Sequence, residues 1–87
     1  MNDHAVYVLH CGDGSLYTGY TTDVERRLAE HEAGTGAKYT RGRGPFEVVH
    51  VEHFDERGDA LAREAEIKAL SRSDKERLLA EQTSTGF

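Results

Sequence analysis

Two short apolar segments near the start of the chain constrain the fold more than any other feature. Residues 5–11 and 16–20 are dense in β-branched and aromatic side chains, which is typical of β-strands. The few residues between them include Gly12 and Gly14, and glycine supplies the positive φ that a tight connection requires. The sequence therefore predicts a β-hairpin, against which the remaining elements must pack.

A helix and a long loop follow the predicted hairpin. Thr22 and Glu25 have the spacing of a capping box, so we expect a helix over residues 23–33 that ends at Gly34. Residues 34–45 then hold four glycines and the only proline of the chain. Loops of this length are uncommon as mere connectors, which favours a functional role for this one.

The second half of the chain predicts one more strand and two helices. Residues 46–54 contain three valines and are typical of a strand, whereas the alanine-rich residues 60–70 indicate a helix. Ser73 and Glu76 have the spacing of a second capping box, which predicts a short last helix. The element order is thus β-β-α-β-α-α, an α+β fold with helices packed on one layer of strands.

The size and cysteine content of the chain suit one small intracellular domain. The chain has 87 residues, which we divide into a single domain at 1–82 and a frayed tail at 83–87. Cys11 is the only cysteine, so no internal disulfide can form. Apolar runs fall well short of the ~18 residues that a bilayer requires. We therefore expect a cytoplasmic protein that does not enter a membrane.

The charge of the chain is acidic overall but unevenly distributed. The net charge of −5 argues against a generic nucleic-acid coat protein. Residues 26–43 nevertheless carry five basic and two acidic side chains, a net charge of +3 that leaves −8 for the remainder. Such a basic strip can contact a short stretch of phosphates, although a solvated loop would have the same composition.

On the first predicted helix, two neighbouring arginines point in different directions. At about 100° per residue, Val24, Leu28 and His31 form one stripe. Arg27 lies at the edge of this stripe, whereas Arg26 lies on the opposite side. Arg27 is therefore expected to lean toward the sheet. An aliphatic stem that covers the core, with its charged end in water, would explain the same position.

The helix predicted over residues 60–70 carries an acid among apolar residues. Ile67, Ala60 and Leu61 lie on one face of this helix, and Glu64 falls between Ile67 and Leu61. A carboxylate at such a position is costly unless it is paired or bound to a metal. The sequence leaves both explanations open, with a salt bridge to Arg27 as one form of the first.

The register of the hairpin decides where two tyrosines point. Because side chains alternate along a strand, a two-residue turn would place Tyr17 opposite His10, on the face away from Tyr7. A three-residue loop would instead place Tyr17 opposite Leu9, so that Tyr7 and Tyr17 share a face. Residue types alone leave both registers open, and tyrosines of a core are the ordinary alternative to functional ones.

Other motifs give weak indications of chemistry. His50 and His53 are poor zinc partners because residues three apart on a strand face opposite ways. Cys11 lies in a strand, without a helix N-terminus to lower its pKa. The glycines of the long loop do not have the spacing of a phosphate-binding loop.

The chain strongly resembles the GIY-YIG nuclease superfamily, specifically its small, single-domain members. The paired tripeptides Ala5-Val6-Tyr7 and Tyr17-Thr18-Gly19 resemble the two motifs that name it. Four ordered stretches carry the match: Leu16-Tyr17-Thr18-Gly19-Tyr20-Thr21, Asp23-Val24-Glu25-Arg26-Arg27-Leu28, Gly36-Ala37-Lys38-Tyr39-Thr40-Arg41-Gly42 and Glu64-x-x-Ile67-Lys68-x-Leu70. The resemblance implies a three-stranded antiparallel sheet flanked by helices, with the active site on one sheet face. It also requires both motif tyrosines on that face, which favours the odd-length, three-residue hairpin loop.

The resemblance also assigns site residues. The catalytic positions of the superfamily fall on Tyr7, Tyr17, Arg27, His31 and Glu64. Three motif positions differ from the superfamily pattern, and none of them carries the chemistry: Ala5, Val6 and Thr18.

The mechanism that the resemblance implies is hydrolysis of a phosphodiester. Glu64 would hold Mg²⁺ or Mn²⁺, and Arg27 would neutralise the charge that develops on the phosphate. One tyrosine would orient or deprotonate the attacking water, with its pKa lowered by Arg27 or the metal. The nucleic-acid backbone would be held by four loop residues: Lys38, Tyr39, Arg41 and Arg43.

The expected function is therefore a metal-dependent endonuclease that acts on DNA, or on RNA. Relatives with assigned biology usually carry an appended targeting domain, so we expect cleavage to depend on strand structure rather than on sequence. A protein partner or self-association would then supply targeting. The alternative is an adaptor that kept the fold and binds nucleic acid or protein without cutting.

Overall fold

The computed structural model of the protein describes residues 3–84, with side chains described as far as Glu81. Within this range the chain forms three strands: β1 (His4–Cys11), β2 (Leu16–Thr21) and β3 (Phe46–Phe54). The same range contains three α-helices: α1 (Val24–Glu32), α2 (Arg57–Ala69) and α3 (Arg72–Ser84). The predicted α+β fold and the element order β-β-α-β-α-α are confirmed.

The strands form one antiparallel sheet in the order β2-β1-β3. The central strand β1 is buried almost throughout, because it pairs on both sides and carries helices on both faces. The three-stranded antiparallel sheet expected from the family resemblance is therefore present, with β2 and β3 at its edges.

The hairpin between β1 and β2 has the odd-length loop. Leu9 pairs with Tyr17, and Gly14 adopts a φ of 87° at the end of a three-residue connection. The Gly14 N–H donates to the Cys11 carbonyl oxygen at 2.9 Å and closes the turn. This register places Tyr7 and Tyr17 on the same face of the sheet, as the resemblance predicts.

The two faces of the sheet pack against different parts of the chain. On one face, Val6 and Val8 pack with Ala60 and Ile67 of α2. On the other face, an apolar cluster is covered by α1 and by the loop that precedes β3; it comprises Tyr7, Leu9, Cys11, Phe46 and the partly buried Tyr17, Leu28, Val48 and Val51. The sheet therefore separates α2 from the face that carries the two motif tyrosines.

The buried side of α2 is narrower than the sequence predicts. Ala60 and Ile67 are fully buried, but Leu61 is 37% exposed. The expectation that Leu61 belongs to the core face is therefore wrong. Glu64 consequently lies at the border of the buried stripe rather than in its middle. At this border a carboxylate can remain in contact with solvent.

An ion pair shows which way α2 is turned. At about 100° per residue, Arg63 and Glu64 lie on opposite sides of the buried pair Ala60 and Ile67. The Arg63 guanidinium binds the carboxylate of Glu52 on β3, with an Nε–Oε1 distance of 2.9 Å. Because β3 is one edge of the sheet, the side of α2 that carries Glu64 faces the other edge, β2.

The first helix begins one residue later than the predicted capping box implies. Asp23, rather than Thr22, is the N-cap residue, and its carboxylate accepts a hydrogen bond from the Arg26 N–H at 3.1 Å. Thr21 braces this cap, since its hydroxyl oxygen accepts from the Asp23 N–H at 3.1 Å. Aspartate is at least as good a cap as threonine, so the neighbouring acid takes the position.

The last helix is longer than the sequence predicts and begins earlier. The hydroxyl oxygen of Ser71, not of Ser73, accepts the capping hydrogen bond, from the Asp74 N–H at 3.2 Å. The helix α3 then continues to Ser84. Of the tail predicted at 83–87, residues 85–87 lie outside the described residues, and the domain limits remain a prediction.

The glycine-rich loop over residues 34–45 folds back onto the hairpin. It contains a 3₁₀ turn at Lys38–Thr40, and Thr40 is buried inside it. The carbonyl oxygen of Arg43 accepts a hydrogen bond from the Gly12 N–H at 2.6 Å. Among residues 3–84, the helices lack the length and apolar character needed to cross a membrane.

Candidate active site

Three predicted site residues meet on the face of the sheet covered by α1. The ring centroids of Tyr7 and Tyr17 are 6.3 Å apart, and His31 lies 5.8 Å from Tyr7 and 5.4 Å from Tyr17. Tyr7 and His31 are buried, whereas Tyr17 is half-buried. We call these three residues the tyrosine–histidine cluster. It exists because the odd-length hairpin loop aligns two strands and α1 supplies the imidazole.

Gly19 determines how Tyr7 lies in this cluster. Tyr7 pairs with Gly19 across the sheet, and its ring extends over the glycine toward the edge at β2. A methyl group at position 19 would come within 2.6 Å of the Tyr7 Cζ atom. The last residue of the second tripeptide motif is thus a glycine because a tyrosine of the first motif occupies the space of its side chain.

A chain of short contacts links Tyr7 to the glycine-rich loop. The Tyr7 hydroxyl lies 2.8 Å from His31 Nε2, and His31 Nδ1 lies 2.7 Å from the Thr40 Oγ1 atom. The Thr40 hydroxyl in turn donates to the Ala37 carbonyl oxygen at 2.9 Å. The residue-by-residue interpretation missed Thr40, because a threonine in an irregular loop has no periodicity that would reveal its burial.

Two opposing effects act on the pKa of Tyr7. Burial raises this pKa to about 12, and this effect outweighs the lowering by Arg27; electrostatic interactions with Tyr17 and Glu64 raise it further. Arg27 thus acts in the expected direction, but its effect alone does not make Tyr7 the ionised tyrosine. At neutral pH its phenolate is essentially absent, so Tyr7 can accept a proton only if it gives up its own.

This raised pKa predicts a loss of stability in alkali. The unfolded chain releases the Tyr7 proton near the ordinary pKa of about 10, whereas the folded protein keeps it to about 12. Between these values the free energy of unfolding should fall as pH rises, by about 2–3 kcal/mol at most. Urea unfolding of the wild type and of Tyr7→Phe across this range measures the difference. An equal loss in both proteins would contradict the shifted pKa.

Arg27 approaches the cluster from α1, as the helix periodicity predicts. Its side chain is 31% exposed, and its guanidinium binds Glu30 with an Nη1–Oε1 distance of 2.9 Å. Its positive charge also acts on the Tyr7 hydroxyl and lowers the pKa of His31, where burial has the larger effect. The imidazole of His31 is therefore neutral at physiological pH, and Arg27 provides the positive charge of the site.

Glu64 lies on α2, which packs against the opposite face of the sheet. Its side chain is 18% exposed, and Oε2 lies 3.2 Å from the Lys68 ammonium one turn along α2. The salt bridge that the sequence left open thus exists, but with Lys68 rather than Arg27. The charge of Glu64 contributes to the raised pKa of Tyr7, so the two side chains are within electrostatic range. The expectation of a site on one sheet face holds for the other four residues and not for Glu64.

The arrangement of acids suits a hydrated divalent cation better than a fully protein-ligated one. Among the described residues, no group of three or more histidine, cysteine, aspartate or glutamate side chains could enclose a metal. Glu64 is a single carboxylate at the border between core and solvent, where one protein ligand and several waters can combine. Mg²⁺ keeps most of its water and binds through few carboxylates, so this donor set fits it.

Two of the four predicted nucleic-acid contacts are already engaged within the protein. Tyr39 stacks on Tyr17 with a centroid distance of 5.7 Å, and the Arg43 guanidinium lies 4.3 Å from the Tyr39 ring centroid. Arg43 also forms an ion pair with Asp13 at the hairpin tip. Hydrogen bonds from Ser15, followed by the bond from Arg43, lower the pKa of Asp13 to about 2. The other two predicted contacts, Lys38 and Arg41, are exposed.

The residues that the sequence rejected as sites have structural roles. His50 is buried beneath α2 with Nε2 2.6 Å from the Glu52 carboxylate, whereas His53 is exposed, so the two do not form a zinc pair. Cys11 is a buried free thiol of the apolar cluster. An open cleft of about 300 Å³ is lined by residues that include Cys11, Pro45 and Phe46, but by neither motif tyrosine.

Comparison with known proteins finds a matching family and similar proteins. Residues 3–77 match the family described as the GIY-YIG catalytic domain. The UPF0213 protein NP_0776A of Natronomonas pharaonis is 67% identical over 81 residues, which cover 93% of this chain and 95% of that protein. The UPF0213 protein HQ_3675A of Haloquadratum walsbyi is 62% identical over 84 residues, which cover 95% and 94%.

Two solution NMR structures resemble the protein in both sequence and fold. The UPF0213 protein BH0048 from Bacillus halodurans is 56% identical with a TM-score of 0.60, over 88% of this chain and 82% of that one. The protein EF2693 from E. faecalis is 50% identical with a TM-score of 0.63, over 92% and 85%.

Proposed function

Because the chain belongs to the GIY-YIG catalytic domain family, we propose that it is a divalent-metal-dependent nuclease that hydrolyses phosphodiester bonds of DNA. One observation carries the proposal: Tyr7, Tyr17 and His31 meet on one sheet face, and the Tyr7 hydroxyl lies 2.8 Å from His31 Nε2. The charge of Arg27 also acts on this hydroxyl. Hydrolysis of a phosphodiester needs groups that transfer protons and a positive charge that offsets the charge developing on the phosphate.

Arg27 and the residues of the tyrosine–histidine cluster each have a role that their environment supports. Arg27 is positioned to neutralise the charge that develops on the phosphate, since its planar fork matches two phosphate oxygens. Tyr7 orients the attacking water and can take a proton from it while passing its own to His31. Tyr17 is half-buried, which allows its hydroxyl to contact the substrate or the same water.

Glu64 is the residue that would hold the cation, Mg²⁺ or Mn²⁺. When bound, the cation polarises the scissile phosphate or stabilises the leaving oxygen. Glu64 must then exchange Lys68 for the metal, an exchange that costs little because the Lys68 side chain is 53% exposed.

The basic loop would hold the nucleic-acid backbone next to the cluster. Lys38 and Arg41 are exposed and can bind phosphates, and Tyr39 adjoins Tyr17. Contacts with the phosphate backbone do not read the base sequence. We therefore propose that the protein recognises strand structure, such as single strands or branches, rather than a particular sequence. RNA is the second candidate substrate. Lys38 and Arg41 would release counterions when they bind phosphates, so the affinity for nucleic acid should fall as the salt concentration rises. The buried free thiol of Cys11 supports a location in the reducing cytoplasm.

The ion pair between Glu64 and Lys68 favours a second candidate function. A carboxylate that stays paired cannot bind a metal, and the fold would then serve as an adaptor for nucleic acid or protein. Targeting by a protein partner or by self-association is compatible with either function.

A cleavage assay separates the two functions. The purified full chain is incubated with single-stranded, duplex and branched DNA and with matching RNA, in Mg²⁺, in Mn²⁺ and in EDTA. Metal-dependent cleavage of at least one substrate is expected, with no cleavage in EDTA. Binding without cleavage of every substrate would contradict the nuclease and support the adaptor. A Glu64→Gln protein purified in the same way detects a contaminating host nuclease.

A further inference from the structure

The contacts around His31 contain enough information to assign its hydrogen atoms. Thr40 Oγ1 and the Ala37 carbonyl oxygen are 2.9 Å apart, and two oxygens at this distance require a hydrogen between them. A carbonyl oxygen can only accept, so the Thr40 hydroxyl donates its one hydrogen to Ala37. The oxygen of Thr40 is then left as an acceptor toward His31.

His31 Nδ1 must therefore carry a hydrogen. It lies 2.7 Å from Thr40 Oγ1, whose own hydrogen is committed to Ala37, so the Nδ1–H group donates to Thr40. The Ala37 N–H also approaches Nδ1, but at 3.5 Å this contact is too long to compete. Because His31 is neutral, its Nε2 atom carries no hydrogen and accepts from the Tyr7 hydroxyl at 2.8 Å.

The opposite tautomer would leave two buried groups without partners. If Nε2 carried the hydrogen, it would donate to the Tyr7 oxygen, and the hydroxyl hydrogen of Tyr7 would lose the acceptor that Nε2 provides. Thr40 would have to turn its hydrogen to Nδ1 and leave its oxygen against the Ala37 carbonyl. Thr40 and His31 are each 1% exposed, so water cannot repair the loss at Thr40.

We propose that Thr40 is a positioning residue for the hydrolysis, which holds His31 in its Nδ1-protonated tautomer so that Nε2 receives the proton of Tyr7. The inference rests on the proposed nuclease function for its catalytic part, but the tautomer is a property of the protein alone. Thr40 touches neither substrate nor reacting atoms and acts only through His31.

The proton transfer that this tautomer allows is balanced. A water molecule gives one proton to the Tyr7 oxygen as its hydroxide forms a bond to phosphorus. The original proton of Tyr7 moves to His31 Nε2, so Tyr7 remains neutral and His31 becomes an imidazolium with a hydrogen on each nitrogen. The Nδ1–H group stays bonded to Thr40 throughout. The phosphodiester bond to the leaving oxygen breaks, and that oxygen takes a proton from solvent. After product release, His31 returns its Nε2 proton to Tyr7, which passes a proton to solvent.

Nitrogen NMR tests the tautomer without substrate. In the wild-type protein labelled with ¹⁵N, above neutral pH, His31 Nδ1 should show the chemical shift of a protonated ring nitrogen and Nε2 that of an unprotonated one. Thr40→Ser, which keeps the hydroxyl, should preserve this pattern. Thr40→Val, which keeps the shape and removes the hydroxyl, should give intermediate shifts from a mixture of tautomers. An unprotonated Nδ1 in the wild type would overturn the proposal, whether or not Thr40→Val folds.

Kinetics on a cleaved substrate test the catalytic part. Thr40→Val should lower kcat by about tenfold to a hundredfold, with little change in KM, and Thr40→Ser should restore most of it. An unchanged kcat in a folded Thr40→Val protein would overturn the positioning role. If the wild type shows the expected tautomer but cleaves no nucleic acid, the proposed function fails and the assignment of the tautomer stands.

Discussion

Replacing Glu64 with glutamine should reduce metal-dependent cleavage by about a thousandfold, because a bound cation supplies several kcal/mol of transition-state stabilisation and each 1.4 kcal/mol corresponds to a factor of ten. Glutamine keeps the size of the side chain but removes the charge that attracts the cation. The fold should be little affected, since the ion pair with Lys68 lies on the surface and contributes about 0.5 kcal/mol or less. Cleavage rates in Mg²⁺ and a thermal unfolding curve measure both effects.

The same helix provides a matched control. Glu66 lies two residues along α2, is 67% exposed and binds Arg63, so Glu66→Gln makes the same chemical change outside the cluster. It should leave cleavage within about twofold of the wild type, as expected for a surface substitution. Equal activity of Glu64→Gln and the wild type would contradict the role of Glu64, because the cleavage would then come from a cation held elsewhere or from a contaminating nuclease. Equal loss in both variants would indicate a general effect of charge.

Replacing Gly19 with alanine should destabilise the fold by about 2–3 kcal/mol and abolish most of the cleavage. In most strands this substitution is favourable, because glycine loses more conformational freedom on folding. Here the new methyl group would lie 2.6 Å from the Tyr7 Cζ atom. The ring cannot move aside without breaking its hydrogen bond to His31, so the usual sign is reversed. Urea unfolding gives the stability, and the cleavage assay gives the activity.

Gly58 in α2 is the corresponding control. A methyl group there meets nothing within 4 Å. Gly58→Ala should therefore leave the protein unchanged or stabilise it by up to about 1 kcal/mol, through the higher helix propensity of alanine. The Gly19→Ala protein should also lose the NMR signature of the Tyr7–His31 hydrogen bond. If Gly19→Ala is as stable as the wild type, the Tyr7 ring can move away from position 19, and the close packing of Tyr7 on Gly19 is not rigid.

The sequence predicts the fold well because local patterns and the family motifs agree. The strands are recognisable from β-branched residues, and the three-residue hairpin loop follows once Tyr7 and Tyr17 are required on one face. The helix starts are less predictable. Thr22 and Asp23 both offer a capping oxygen, and residue spacing alone does not decide that Asp23 is used. Leu61 fails for a related reason: periodicity gives the direction of a side chain, not how far the neighbouring elements extend over it.

The candidate site is predictable in its members and less so in their environment. Motif matching places Arg27 and Glu64, and helix periodicity gives their direction. The raised pKa of Tyr7 could not be predicted, because it depends on the depth of burial of one hydroxyl. The ion-pair partner of Glu64 is Lys68, one turn along the same helix. The spacing of four residues permits this pair in any helix, but it does not show that the pair forms. Thr40 required the fold of an irregular loop, which no local pattern determines.

The ion pair between Asp13 and Arg43 has a consequence for which ligands the protein retains. A phosphate that recruits Arg43 must displace a carboxylate, so this arginine adds less to affinity than its charge suggests. Asp13, at the hairpin tip, therefore competes with a bound phosphate for Arg43. Single phosphates, which offer one contact, gain little from the exchange. We therefore expect a polymer that engages Lys38, Arg41 and Arg43 together to displace Asp13 more readily than a mononucleotide does.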